Sequence, residues 1–190
     1  MNKLKVGFFG GCFNPPSNVH INLANCLIKE KIVDKVVFVP VGDYYQKQNL
    51  VSSKDRFNML KLACENFKNI ELDNIATEHS ERLFAVDTFK LIYEKYKETC
   101  DIYFIMGSDN FEKMPSWKNY EELIKEYNFI VIERPNHIIN QTLNNVIYYK
   151  SNQTEDISST YIRNKIKNGE DISKYLDKKV FEYIKQHCIY

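Results

Sequence analysis

The chain has 190 residues, with 26 Lys plus Arg against 25 Asp plus Glu, a formal net charge of +1. That balance, with both signs mixed along the chain, argues against a nucleic-acid or membrane-surface binder. With 44% hydrophobic and 14% aromatic residues and only 6 Gly and 5 Pro, it is a globular sequence rather than a disordered one. At this length one domain, 1–190, is expected, burying roughly 70% of its unfolded surface.

Taken in chain order, Lys5 to Phe9 reads as a buried first strand ending at Gly10-Gly11. Ile21, Ala24, Leu27 and Ile28 follow at helical spacing, and Val36-Val37-Phe38-Val39 predicts a second strand stopped by Pro40. Phe57, Leu60, Cys64 and Phe67 mark a helix, and Val86, Phe89, Leu91 and Ile92 another. Ile102 to Met106 predicts a strand with a loop at its carboxyl end, Gly107-Ser108-Asp109. Phe129 to Ile132 and Val146 to Tyr149 predict further strands, the polar stretch Asn136 to Asn145 between them being a mobile loop. Ser159 to Lys167 and Lys178 to His187 close the chain as helices.

Alternation of strands and helices implies an α/β fold, a doubly wound parallel sheet with helices on both faces. Ligands of such sheets sit outside the carboxyl ends of the strands. That rule selects Gly10 to His20, Pro40 to Lys47, Gly107 to Trp117 and Arg134. The cysteines (Cys12, Cys26, Cys64, Cys100 and Cys188) are odd in number and without a Cys-x-x-Cys pair, so a disulfide framework or zinc site is not expected. His20, His79, His137 and His187 are too scattered for a metal signature. No apolar run approaches the ~20 residues of a membrane span, and Met1 to Lys5 opens no signal-peptide pattern. A cytoplasmic protein is expected, and a homo-oligomer is compatible with these features.

The turn after the first strand, Gly10-Gly11-Cys12-Phe13-Asn14-Pro15-Pro16-Ser17-Asn18-Val19-His20, matches neither the dinucleotide fingerprint nor the Walker P-loop. Its glycines let backbone approach a ligand, and the helix start after it can donate amides to phosphate. Read by itself, Ser17 is simply an N-cap. Arg163 reads equally as a phosphate fork or a solvated arginine, and Ser158-Ser159-Thr160 as a phosphate turn or a cap.

The opening motif Gly-Gly-x-Phe-x-Pro-x-x-x-x-His is similar to that of the nucleotidyltransferase superfamily. Ile105-Met106-Gly107-Ser108-Asp109, Trp117, Glu121-Glu122-Leu123, Glu133-Arg134-Pro135 and Asp156-Ile157-Ser158-Ser159-Thr160-Tyr161-Ile162-Arg163 narrow it. With Asp55-Arg56-Phe57-Asn58-Met59-Leu60 and the ending Val180, Tyr183-Ile184, Tyr190, they resemble nicotinate-nucleotide adenylyltransferase over nearly the whole chain. The resemblance implies a Rossmann-like nucleotidyltransferase fold with C-terminal helices. It also implies transfer of an adenylyl group from ATP to a pyridine mononucleotide, nicotinate mononucleotide first, with Mg2+ carried on the phosphates. It assigns His20, Lys47 and Arg163 to catalysis as charge and positioning at the triphosphate. ATP would meet Gly10, Gly11, Phe13, Ser17 and His20 after the first strand. Gly107, Asp109 (near the ribose), Ser158, Ser159, Thr160 and Arg163 would complete that site. Lys47, Phe84, Ala85, Asp87, Trp117 and Arg134 would form the mononucleotide site, Trp117 stacking on the pyridine ring. No protein metal ligand is implied. His20, Lys47, Arg163 and helix N-termini would concentrate positive potential at one sheet edge.

Four positions depart from the pattern. Ser17 stands for the signature's His or Thr, Val19 for its Gly, Gln46 for a histidine before the lysine, and Ala85 for a threonine that helps hold the nicotinate carboxylate. Alternatives are therefore a nucleotidyltransferase with another phosphorylated acceptor or with CTP, and a nucleotide-binding protein without turnover.

Overall fold

The computed structural model describes residues 3–45, 47–134, 137, 143–151 and 157–190. Gln46, Pro135, most of the stretch from Asn136 to Asn145, and Asp156 lie outside the described residues. The elements are β1 (Leu4–Gly11), α1 (Asn18–Lys29), β2 (Lys35–Pro40), α2 (Ser53–Cys64), β3 (Ile70–Leu72), α3 (Ala85–Tyr96) and β4 (Cys100–Gly107). They continue as α4 (Ser108–Lys113), a 3-10 turn (Met114–Ser116), α5 (Tyr120–Glu126), β5 (Asn128–Ile132), β6 (Val146–Tyr149), α6 (Ser159–Lys167) and α7 (Lys178–Gln186).

The strands form one six-stranded sheet in the order β3-β2-β1-β4-β5-β6, and every pairing is parallel. Buried parallel strands carry apolar side chains on both faces, which is why β2 reads as an unbroken run from Val36 to Pro40. Alternate residues feed two cores. Phe9, Val36, Phe38, Ile105 and Ile130 pack with α1, α2, α6 and α7. Phe8, Val37, Val39, Phe104 and Phe129 pack with α3, α4 and α5. The expected doubly wound α/β architecture is the one observed.

Three differences from the expectation have physical causes. β3 is three residues long with only Ile70 buried, too short for any periodicity. The stretch after β4 is helical rather than looped, because Phe111 and Met114 turn inward and are buried. In α2 the buried stripe is Arg56, Met59, Leu60, Ala63 and Cys64, so an arginine stands where the pattern of apolar residues puts the helix edge.

The chain leaves β1 toward β2 on one side and returns through β4 on the other. The switch point lies between β1 and β4, and in sheets of this kind ligands bind outside the carboxyl ends of the strands at that point. No described helix is long and apolar enough to cross a membrane.

Candidate active site

β1 delivers Gly10 and Gly11 to the switch point, level with Val39 and Pro40 of β2. Gly10 is exposed, and a Cβ there would meet nothing within 4 Å. It borders open space. A Cβ on Gly11 would lie 2.9 Å from the Phe13 ring, so the second glycine makes room for a side chain folding back. Phe13 takes a φ of 47° to do so and is buried, edge-on to Phe9, Phe38 and His20. What Phe13 offers at the switch point is backbone, while its ring supports His20.

Ser17 is the N-cap of α1 and is buried. Its backbone N–H donates to His20 Nδ1 at 3.1 Å, and its Oγ lies 2.8 Å from the same nitrogen. An amide can only donate, so Nδ1 is the acceptor and the neutral ring carries its proton on Nε2. Burial, helped by the positive charge of Arg134, lowers the His20 pKa from 6.5 to about 4. The imidazole is therefore neutral at pH 7, which corrects the expectation that it adds positive charge. It is a hydrogen-bond donor through Nε2–H.

The charge comes from other groups. Burial pushes the Cys12 thiol up, and the positive charges of Lys47, Arg56 and Arg163 pull against it. Three cations thus converge beside the turn after β1. Lys47 is exposed. Arg56 is wholly buried and donates to the carbonyls of Cys12 (3.1 Å), Val41 (2.7 Å) and Val51 (2.9 Å). Arg163 is also buried rather than solvated, donating through Nη1 to Asn14 O at 2.8 Å and through Nη2 to Thr160 Oγ1 at 3.1 Å. The hydroxyls of α6 are engaged too: Ser158 Oγ accepts from Tyr161 N, and Ser159 Oγ donates to Pro15 O at 2.8 Å. The start of α6 is thereby seated on the turn after β1.

Across the switch point, Arg134 Nε lies 3.1 Å from Asp109 Oδ1, and the Arg134 amide donates to Ser108 Oγ at 2.9 Å. Asp109 Oδ1 is buried yet has no hydrogen-bond partner. At the start of α3, Asp87 accepts the Phe84 N–H at 2.9 Å and caps the helix, with Ala85 its first residue. Phe84 is exposed and its ring lies under Arg82 at 4.9 Å and Lys118 at 4.8 Å. That contact brings the residue after Trp117 against α3. Trp117 is half-buried and packs on the second core. Tyr44, after β2, lies within interaction range of Asp87 and Thr88, joining the Lys47 segment to this side. Gly10, Gly11 and Gly107 end β1 and β4 at the carboxyl edge of the sheet, the charges of Lys47, Arg56 and Arg163 lie about the turn after β1, and Phe84 and Lys118 meet at the start of α3.

A sequence model described as Cytidylyltransferase-like matches residues 8–165. A Fusobacterium nucleatum protein named "Probable nicotinate-nucleotide adenylyltransferase" is 33% identical over 98% of this chain and 100% of its own. A Listeria monocytogenes protein of the same name is 34% identical over 99% of this chain and 98% of its own. The chain belongs to the nicotinate-nucleotide adenylyltransferase family. A Plasmodium falciparum nicotinic acid mononucleotide adenylyltransferase, solved in complex with NaAD, shares the fold with a TM-score of 0.86, covering 98% of this chain and 97% of its own at 23% identity. The same enzyme in complex with APC superposes with a TM-score of 0.84.

Within this adenylyltransferase chain, sequence reading passed over Arg56, Asn14, Tyr44 and Tyr190 as site residues. For Arg56 a signal existed: a charge in phase with Met59, Leu60 and Ala63 is a buried charge, and buried charges have partners. Asn14 accepts from Tyr190 Oη at 2.7 Å across the whole length of the chain, which no local pattern records.

Proposed function

We propose that this protein transfers the adenylyl group of ATP to nicotinate mononucleotide, releasing pyrophosphate and forming the deamido dinucleotide used in NAD synthesis. The observation that carries this reading is the match of whole chain to whole chain with relatives named for that activity. A phosphate oxygen of the mononucleotide attacks the α-phosphorus of ATP as the bond to the β-phosphate oxygen breaks, with no covalent enzyme intermediate. The protein's task is positioning and charge stabilisation.

His20 donates from Nε2–H to an α-phosphate oxygen as negative charge builds there. Its neutrality suits this task, because it neither repels neighbouring cations nor needs a proton at pH 7. Lys47 supplies a movable charge to the polyphosphate, and Arg163 gives the turn after β1 a fixed positive background. Gly10 lets the nucleotide approach backbone, and Asp109, held by its ion pair with Arg134, accepts from a ribose hydroxyl. Trp117 and Phe84 frame the pyridine ring. Mg2+ carried on ATP would neutralise part of the phosphate charge beside Lys47. No protein ligand is assigned to the metal. We read residues 1–190 as a single domain working on these small molecules in the cytoplasm.

The test is pyrophosphate release by purified protein with ATP and nicotinate mononucleotide, against nicotinamide mononucleotide, other phosphorylated acceptors, and CTP in place of ATP. The reading expects ATP with nicotinate mononucleotide to be fastest, with the dinucleotide mass appearing alongside pyrophosphate. Faster turnover with CTP or with a non-pyridine acceptor sinks the substrate assignment and leaves the transferase.

A further inference from the structure

The segment between β2 and α2 carries Lys47 on an exposed backbone, and something must hold it if Lys47 is to meet a phosphate repeatedly. Its two ends are anchored by Arg56, which takes the carbonyls of Val41 and Val51 together with that of Cys12. Nearer Lys47 the anchor is Asn14. Its Nδ2 donates to Asn49 O at 2.7 Å, and its Oδ1 accepts from Val51 N at 3.3 Å and from Tyr190 Oη at 2.7 Å. Its backbone carbonyl accepts from Arg163 Nη1 at 2.8 Å. Asn14 is 2% exposed, so its own carboxamide has no ready water to replace these partners.

The partners dictate the residue type. Asn49 O can only accept and Val51 N–H can only donate, so the side chain between them needs one donor and one acceptor on a short planar fork. Asparagine meets that requirement. An aspartate has no donor for Asn49 O, and an alanine offers a partner to neither group. Because the same residue lies two positions after Cys12 and touches Arg163, it ties the Lys47 segment to the turn and to α6 together.

We propose that Asn14 is a positioning residue, acting through Lys47: its carboxamide holds the Lys47 segment in register with His20 and Arg163. The transfer part of this proposal rests on the function proposed above; the tethering part does not.

Two measurements test it. The first is trypsin cleavage after Lys47 in the folded protein without substrate, in Asn14→Asp against wild type. Cleavage should accelerate at least about fivefold as the segment opens more often. The second is a double-mutant cycle on kcat/KM for ATP. Asn14→Asp and Lys47→Ala should each lower it at least about tenfold, with KM for the mononucleotide within about twofold. The double variant should fall no more than about twofold below Lys47→Ala alone. Independent losses that multiply in the double variant overturn the proposal, as does unchanged cleavage. Should Asn14→Asp fail to fold, Tyr190→Phe removes one bond to the same oxygen and should shift both readouts in the same direction by a smaller factor; no shift in either overturns the proposal. Faster cleavage in a protein that makes no dinucleotide from nicotinate mononucleotide supports the tether and rejects the substrate reading.

Discussion

Asp109 and Arg134 meet over the bare Cα of Gly107, Oδ1 to Nε at 3.1 Å, where β4 and β5 end side by side. A Cβ on Gly107 would lie 2.4 Å from that oxygen and 2.6 Å from that nitrogen. Both atoms belong to side chains that can rotate, so Gly107→Ala should part the pair without unfolding the strand. Melting temperature should move by no more than about 4 °C, equivalent to about 1 kcal/mol at this size. The kcat/KM for ATP should fall about tenfold, since Asp109 loses its aim and Arg134 its anchor. Calorimetry together with steady-state rates decides this. Unchanged rates would detach the pair from the reaction.

The His20 ring makes stability depend on pH in a defined direction. Its pKa in the folded protein is about 4 against an ordinary 6.5, so below pH 6.5 the unfolded chain takes up a proton that the folded chain refuses. The contribution is complete above about pH 6.5, falls as pH drops toward 4, and changes no further below that. At 1.36 kcal/mol per pKa unit it amounts to about 3 kcal/mol. Denaturant unfolding between pH 7 and pH 4 should show this slope in wild type and a shallower one in His20→Gln. NMR of the ring nitrogens should show the proton on Nε2 throughout the neutral range. No loss of transfer rate should trace to His20 protonation between pH 6 and 8.

The parts of this fold legible in the sequence are those where one signal suffices. Phe38 and Val39 lie in a run that is apolar on both faces, and Phe104 and Ile105 in another, so the central strands announce themselves. Ile70 is alone in its strand and does not. At the site, Gly10 and Gly11 are legible as a turn before a helix start, and His20 is legible through its place in the family's opening motif. Arg56 is legible only as a buried charge without named partners, and Asn14 not at all, because their roles consist of bonds to Asn49, Val51, Val41 and Tyr190, brought near only by the sheet and by α7. His20 also shows that residue type does not give charge state. Its neutrality follows from burial and from Arg134, which lies far along the chain.

Arg163 is a fork serving two directions, Asn14 O and Thr160 Oγ1, from a position only 7% exposed. Lysine keeps the charge but has one terminal nitrogen and no planar fork. Arg163→Lys should therefore lose about 2 kcal/mol of stability, the range for hydrogen bonds to a charged group, and at least about tenfold in kcat/KM. Thr160→Val removes only one acceptor and should cost about 1 kcal/mol with a smaller change in rate. Urea unfolding and initial rates on the two variants check the ordering. If Thr160→Val equals Arg163→Lys in both, the guanidinium's second contact, to Asn14, is without weight.

The acceptor side turns on Lys118, whose ammonium lies 4.8 Å from the Phe84 ring centroid and so brings the residue after Trp117 against the first turn of α3. Arg82 lies 4.9 Å from the same ring centroid, and among the described residues no ion pair is made by either cation. If a pyridine ring stacks on Trp117, loss of that face should raise KM for the mononucleotide by about tenfold or more, a base–aromatic stack contributing ~1–3 kcal/mol. Trp117→Ala should do this while leaving KM for ATP within about twofold. With the ring so placed, Lys118 and Arg82 would be the cations to meet its carboxylate in place of a threonine hydroxyl at Ala85. Lys118→Met should then reduce the preference for nicotinate over nicotinamide mononucleotide by about fivefold, ~1 kcal/mol of exposed charge interaction. Ala85→Thr should move that ratio the opposite way. Competition assays with both mononucleotides read all three variants. A ratio unmoved by Lys118→Met would remove Lys118 from recognition of the carboxylate.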